Sequence, residues 1–149
     1  IEYIEEPLAD PTLLDEFYQQ TGMPIALDET LPETDFTTLS LPNGIVALIL
    51  KPSVLGGIEK TMQFATYAQN SGIKAVISSA FQSGIGLAAA ANLAACMNQQ
   101  DVPAGLDTYK WLAEDVLAER FTTKDGCVDA EEAYENGKNV RLDLVKLVE

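Results

Sequence analysis

Apolar residues in this chain fall into short runs that stop on a polar residue, and the runs alternate with segments of helical spacing. The clearest run covers 45–50, where Ile, Val, Ala and Leu lead to Lys51, Pro52 and the pair Gly56-Gly57. That length and content suit a strand buried on both faces. Pro52 restricts Lys51 to extended geometry, so the strand should end there, with the ammonium standing where a buried strand reaches the surface. Upstream, 1–5 reads as a first strand closed by Glu5-Glu6-Pro7. Asp10-Pro11 reads as a helix cap followed by proline in the first turn, Leu13, Leu14, Phe17 and Tyr18 share one face, and Gly22 ends the helix. Residues 25–29 form a short strand that closes on acids, a short helix is expected over 34–39, and Pro42-Asn43-Gly44 is a turn.

Downstream, the pattern predicts a helix from 58 to about 70 burying Ile58, Met62, Ala65 and Tyr67 or Ala68, with Gly72 just past its end. Residues 73–77 form the next strand, which ends on Ser78-Ser79. A glycine-containing loop over 82–86 leads to an alanine-rich helix over 87–97. Residues 103–107 read as one more brief strand, and 108–119 as helical. From Arg120 the character changes: Lys124-Asp125-Gly126 is a turn, 129–135 is acidic, and 140–148 is rich in β-formers. The expected organisation is a partial barrel domain over 1–119 and a tail over 120–149 that leaves it and docks elsewhere.

Strand alternating with helix implies a parallel sheet with right-handed crossovers. The strand-end residues Glu5, Asp28, Lys51, Ser78 and Gly105 are separated by 23, 23, 27 and 27 positions. That spacing approaches the roughly 30 residues per unit of an eight-fold barrel. The fold class is therefore α/β, the C-terminal part of a (β/α)8-type barrel with about five parallel strands.

Composition narrows the chemistry. Nine Lys and Arg against 23 Asp and Glu give the 149 residues a formal charge of −14, which repels a phosphate backbone and argues against a nucleic-acid partner. No run approaches the roughly 20 apolar residues of a membrane helix. Cys96 and Cys127 form no disulfide framework and no CxxC pair, so a reducing cytoplasm is expected. Histidine is absent, which removes Ser-His-Asp and Cys-His catalysis and any His-ligated zinc. The chain opens without methionine directly in a strand-like pattern, as a part of something longer would.

Strand ends of a barrel converge on one mouth, where Glu5, Asp28 and Lys51 would be neighbours. Two carboxylates without imidazole or thiolate form a hard oxygen site that suits Mg2+, with Mn2+ as a substitute. A lysine beside it can move a proton or stabilise an anion, a combination that fits proton abstraction next to a carboxylate. Each residue alone also has an ordinary reading, as a solvated strand end or a capping group; their shared register weakens it.

Glu5-Glu6-Pro7, Asp28-Glu29-Thr30, Leu50-Lys51-Pro52-Ser53, Ile77-Ser78-Ser79 and Gly105-Leu106-Asp107-Thr108 together resemble the second half of the enolase superfamily, most closely its o-succinylbenzoate synthase branch. The match covers about 1–112. It implies Glu5 and Asp28 as metal ligands and Lys51 as the lysine of the sixth barrel strand. In the synthase branch that lysine is similar to a cationic stabiliser of the enediolate, and in racemase relatives it is one of two acid–bases. Ser78, Ser79 and the backbone near Gly105 match the region that holds the succinyl end of a small carboxylate substrate. The implied reaction is loss of water from a succinyl-hydroxycyclohexadiene carboxylate to give o-succinylbenzoate, on the way to menaquinone or phylloquinone. The resemblance places the Lys-x-Lys strand, a third carboxylate ligand and a capping domain before Ile1, so the 149 residues alone are expected to be inactive and the tail to pack on that missing domain. The tail lacks the Pro-Gly-Leu-Gly type sequence common near the end of relatives.

Two further functions stay open on sequence. N-acylamino acid racemisation uses the same lysines and metal site. A non-catalytic half-barrel that pairs with a second copy, or with the missing N-terminal half, would cover the two unpaired edges of an open sheet. An acidic α/β binding module with accidental motifs requires the register to hold through five strands by chance.

Overall fold

Punctuating residues decide where each element starts and stops. The computed structural model describes residues 1–34, 37, 39–97 and 102–146. They form two compact units, Ile1–Val76 and Ile77–Glu149.

In the first unit β1 (Ile4–Glu5), β2 (Ile25–Leu27) and β3 (Ile45–Leu50) pair in parallel, and β4 (Lys74–Ile77) completes the sheet order β1-β2-β3-β4. β1 is shorter than expected, covering two residues; Ile4 N–H donates to the Pro24 carbonyl and, just past the strand, Glu6 N–H donates to the Ala26 carbonyl. Asp10 caps the chain as read from sequence: its carboxylate accepts from Thr12 N–H at 3.0 Å, and Pro11 opens a 3-10 turn leading into α1 (Leu14–Thr21). Gly22 ends α1 with left-handed backbone (φ 64°). The turn at Gly44 brings its backbone so close to Tyr18 that a Cβ there would lie 2.3 Å from the ring. The short helix expected over 34–39 has half of its positions, 35, 36 and 38, outside the described residues.

Lys51 is extended (φ −103°, ψ 98°), as proline at position 52 demands, and Pro52 also starts a helical turn, α2 (Pro52–Leu55), before Gly56-Gly57. α3 spans Ile58–Asn70, and Gly72 follows it with φ 70°. Its buried face is Thr61, Phe64, Ala65 and Ala68, whereas Ile58 and Met62, expected in the core, are exposed. Thr61 explains the difference. Its hydroxyl donates to the Gly57 carbonyl at 2.8 Å, so this formally polar residue is buried without a loose hydrogen bond and carries the stripe with it.

The second unit differs more from expectation. α4 (Gly84–Met97) begins three residues early, because the Asp115 carboxylate accepts the Gly84 N–H at 2.9 Å and caps the helix from far along the chain. The fifth strand shrinks to one parallel bridge, Ser78 with Gly105. Pro103 has no N–H to extend that ladder. Residues 108–119 hold only a 3-10 turn, Tyr109–Trp111, because Tyr109 and Asp115 are drawn to α4 and Leu117 bridges Val140. The Lys124–Cys127 turn is present, with Asp125 and Gly126 both at positive φ. Asp129 then caps a helix, α5 (Ala130–Lys138), in the stretch read only as acidic. Residues 120–149 fall in one unit with 77–119: Ala133 of α5 joins Leu87, Ala88, Ala91, Leu117 and Phe121 in a shared core. At Gly137 a Cβ would lie 3.0 Å from that of Ala88, so the two helices approach closely. Both cysteines are free and exposed. Among the described residues no helix is long and apolar enough to cross a membrane.

Burial alone would raise the Asp115 pKa. Hydrogen bonds from Gly84 N–H, Tyr109 hydroxyl and the N–H groups of Val116 and Leu117 outweigh it and hold the carboxyl below its ordinary value. A folded-state value below the unfolded one stabilises above the unfolded pKa, and that contribution is lost as pH falls through the folded value. Asp115→Asn should therefore destabilise the protein at neutral pH, with the gap to wild type closing between about pH 5 and pH 2. Urea titrations across that range test this; a gap that holds constant or widens toward acid contradicts it.

Candidate active site

In a parallel pair, aligned residues point to the same face and every second residue returns to it. Glu5 aligns with Ala26, and Ala26 with Ala47. Asp28 lies two positions beyond Ala26, and Lys51 four beyond Ala47. Glu5, Asp28 and Lys51 thus belong to one face of the sheet, above the buried small residues Ala26 and Ala47. An irregularity in register between Ile25 and Ala26 brings β2 and β3 into this alignment.

Two of the three residues are in contact. The Lys51 ammonium donates to Asp28 Oδ2, with Glu29 Oε1 at 4.0 Å on the outer side. The Asp28 side chain is 9% exposed and that of Lys51 21%. Burial pushes the Asp28 pKa up; the hydrogen bond and charge of Lys51 oppose it, the charges of Glu29 and Glu6 reinforce it, and the net shift is upward. Glu5, at the end of β1, is exposed, and its carboxylate makes no hydrogen bond among the described residues.

The second acid of the pair behaves differently. Glu6 has left-handed backbone (φ 38°), and one oxygen, Oε1, accepts both Asp28 N–H at 2.7 Å and Thr30 N–H at 3.0 Å. Its Oε2 accepts the Thr30 hydroxyl at 3.1 Å. Sequence reasoning gave Glu6 no role beyond closing a strand. The only available signal was an acid directly before proline, which does not specify a partner 22 positions away.

In the second unit, Ser78, Ser79 and Gly105 also meet. Gly105 N–H donates to the Ile77 carbonyl at 2.8 Å, and its own carbonyl accepts Ser79 N–H at 3.1 Å and the Ser78 and Ser79 hydroxyls at 3.3 and 3.0 Å. Ser79 Oγ also lies 2.8 Å from Thr108 Oγ1, a partner whose part the motif alone does not reveal. A Cβ on Gly105 would sit 2.9 Å from Ser78 Oγ, so glycine is what permits this approach.

The donor chemistry of Glu5 and Asp28 is all oxygen and fits a hard divalent cation in kind, though not in number. The described residues contain no group of three or more His, Cys, Asp or Glu side chains placed to hold a metal.

A family model described as "Enolase C-terminal domain-like" matches residues 1–143. The chain belongs to the enolase C-terminal domain-like family. Its relatives include protein PHYLLO, chloroplastic, of Arabidopsis thaliana, 40% identical with 78% of this chain and 8% of that protein covered. An o-succinylbenzoate synthase of Yersinia pseudotuberculosis is 38% identical, with 78% and 36% covered. Among solved structures, MenC from Desulfotalea psychrophila matches with TM-score 0.73 and 29% identity over 86% of this chain and 37% of that one. A muconate lactonizing enzyme from Pseudomonas fluorescens matches with TM-score 0.76 and 26% identity over 86% and 35%. The chain spans about a third of the length of these bacterial relatives. Enolase-type C-terminal domains are the C-terminal part of a TIM-type barrel, and the parallel sheet with its helices fits that architecture.

Gly105→Ala should destabilise the protein by about 1–3 kcal/mol through overpacking against Ser78. Ser78→Ala removes the clashing oxygen, so the same glycine substitution made in that background should cost less. A double-mutant cycle by denaturant unfolding reads the coupling, and additive effects would disprove the contact.

Proposed function

We propose that the protein to which these residues belong is an o-succinylbenzoate synthase, a divalent-metal-dependent lyase. The observation that carries this reading is the Lys51 ammonium held on the Asp28 carboxylate at two adjacent strand ends, on the sheet face that also bears Glu5. Relatives of that name and the structural match to MenC support it.

The substrate is a cyclohexadiene carboxylate with a hydroxyl on the ring carbon next to the one bearing the carboxylate, and a succinyl side chain. The C–H bond beside the carboxylate and the neighbouring C–O bond break, the proton and the hydroxyl leave as water, and the ring becomes aromatic. Glu5 and Asp28 are proposed to hold Mg2+ or Mn2+; when bound, the metal would supply positive charge near the substrate carboxylate. Lys51 supplies a fixed positive charge near the same point and, being about one-fifth exposed, is partly shielded from water. Ser78, Ser79 and Gly105 are assigned to the succinyl end; Gly105 carries the backbone and the two hydroxyls orient it. In this reading the principal base and the third carboxylate come from outside the 149 residues, so these residues by themselves do not turn over substrate. N-acylamino acid racemisation needs the same groups and is separated by assay.

In the full-length protein, Lys51→Ala should lower turnover by about a thousandfold or more, as loss of a preorganised charge does, without weakening Mn2+ binding beyond about threefold. Asp28→Asn should weaken Mn2+ binding by about tenfold or more. Calorimetry with the metal and assays on both substrates check this. Unchanged turnover in the lysine variant, or unchanged affinity in the aspartate variant, would refute the assignment, and racemisation without dehydration would replace it.

A further inference from the structure

The chain contains an acid both of whose oxygens are engaged by the 28–30 turn, one by two backbone amides and the other by a hydroxyl. Glu6 follows the proposed ligand Glu5 directly, yet it adopts left-handed backbone, a conformation that a residue with a long side chain occupies only when its surroundings hold it there. That conformation goes with a carboxylate aimed at the end of β2. Its Oε1 receives two amide N–H groups, from Asp28 and from Thr30, and its Oε2 receives the Thr30 hydroxyl. Glu6 N–H in turn donates to the Ala26 carbonyl at 3.1 Å, so the residue clamps β2 from both sides of Asp28.

The amides at 28 and 30 are the first two beyond Leu27 on that edge, where a strand that stops leaves donors without ladder partners. Satisfying both on one oxygen fixes the backbone of the turn, and the direction of the Asp28 side chain follows from it. We propose that Glu6 is the positioning residue for Asp28: it sets the 28–30 turn so that the Asp28 carboxylate faces the Lys51 ammonium and the metal assigned to it. Glu6 is assigned to positioning rather than to ligation, because three hydrogen bonds from the 28–30 turn already hold its two oxygens. This inference rests on the metal site proposed above.

The hydrogen-bond arrangement makes a specific demand. Glutamine can replace the acid, since its Oε1 can accept both amides and its Nε2 can donate to the Thr30 hydroxyl, whereas alanine leaves the two amides unpaired. The test uses the full-length protein with Glu6→Gln, Glu6→Ala and Thr30→Val, read by Mn2+ calorimetry and by amide hydrogen exchange without metal. Glu6→Ala should weaken Mn2+ binding by about tenfold or more, the range seen for groups that orient a metal's ligands, and Glu6→Gln should stay within about threefold of wild type. Amide exchange at 28 and 30 should accelerate in the alanine variant and not in the glutamine variant. Thr30→Val, which keeps both amides paired, should resemble Glu6→Gln and guards against misfolding of the alanine variant.

Equal losses in Glu6→Gln and Glu6→Ala would make the charge the active feature and overturn the proposal, as would unchanged Mn2+ affinity in Glu6→Ala. Asp28→Asn separates this from the parent reading. If that variant binds Mn2+ normally, the metal assignment fails and so does the positioning role toward it. If it loses Mn2+ while Glu6→Ala does not, only the present inference fails.

Discussion

The candidate site depends on strand register. Because side chains alternate with a period of two, a slip of one residue between β2 and β3 would turn Lys51 to the opposite face of the sheet, away from Asp28. The alignment of Ala26 with Ala47 therefore decides whether the two charged groups meet. The charges in turn act on the register: an ammonium at the strand end that finds a carboxylate avoids the cost of standing there unpaired. The irregularity at Ile25 and Ala26 is where the strands adjust to reach that alignment.

Close approach through missing side chains is a second theme. Gly44 against Tyr18, Gly84 against Asp115 and Tyr109, and Gly105 against Ser78 each put backbone where a Cβ would collide. At Gly84 the absent methyl lets a carboxylate reach the first turn of α4, and at Gly105 it lets two serine hydroxyls reach one carbonyl. An acidic chain thus spends several of its carboxylates on its own backbone: Asp10, Asp115, Asp129 and Glu6 all accept amide hydrogens.

The strands and most helix ends were legible because proline, glycine and capping residues act locally. Gly22, Pro52, Gly72 and Asp10 do in the fold what their chemistry requires, and the ladder of strand-end residues led to the face shared by Glu5, Asp28 and Lys51. What could not be read depends on partners far along the chain. Asp115 starts α4 early, Leu117 is drawn to Val140 instead of continuing a helix, and Glu6 serves Asp28. The buried stripe of α3 was misjudged for a different reason: Thr61 counts as polar by type but is satisfied within its own helix. The brief strand expected over 103–107 reduces to Gly105, which alone provides the pairing.

The core of the second unit joins α4 to residues that emerge much later. Ala88 and Ala91 share a core with Ala133, and Leu117 pairs with Val140. During synthesis the alanine-rich side of α4 has no cover until the chain has been extended through about forty further residues, so its closure is a late step governed by non-local contacts. A ribosome-bound chain stopped before α5 would present that surface to chaperones, which makes the acidic helix the element that completes the fold of its unit.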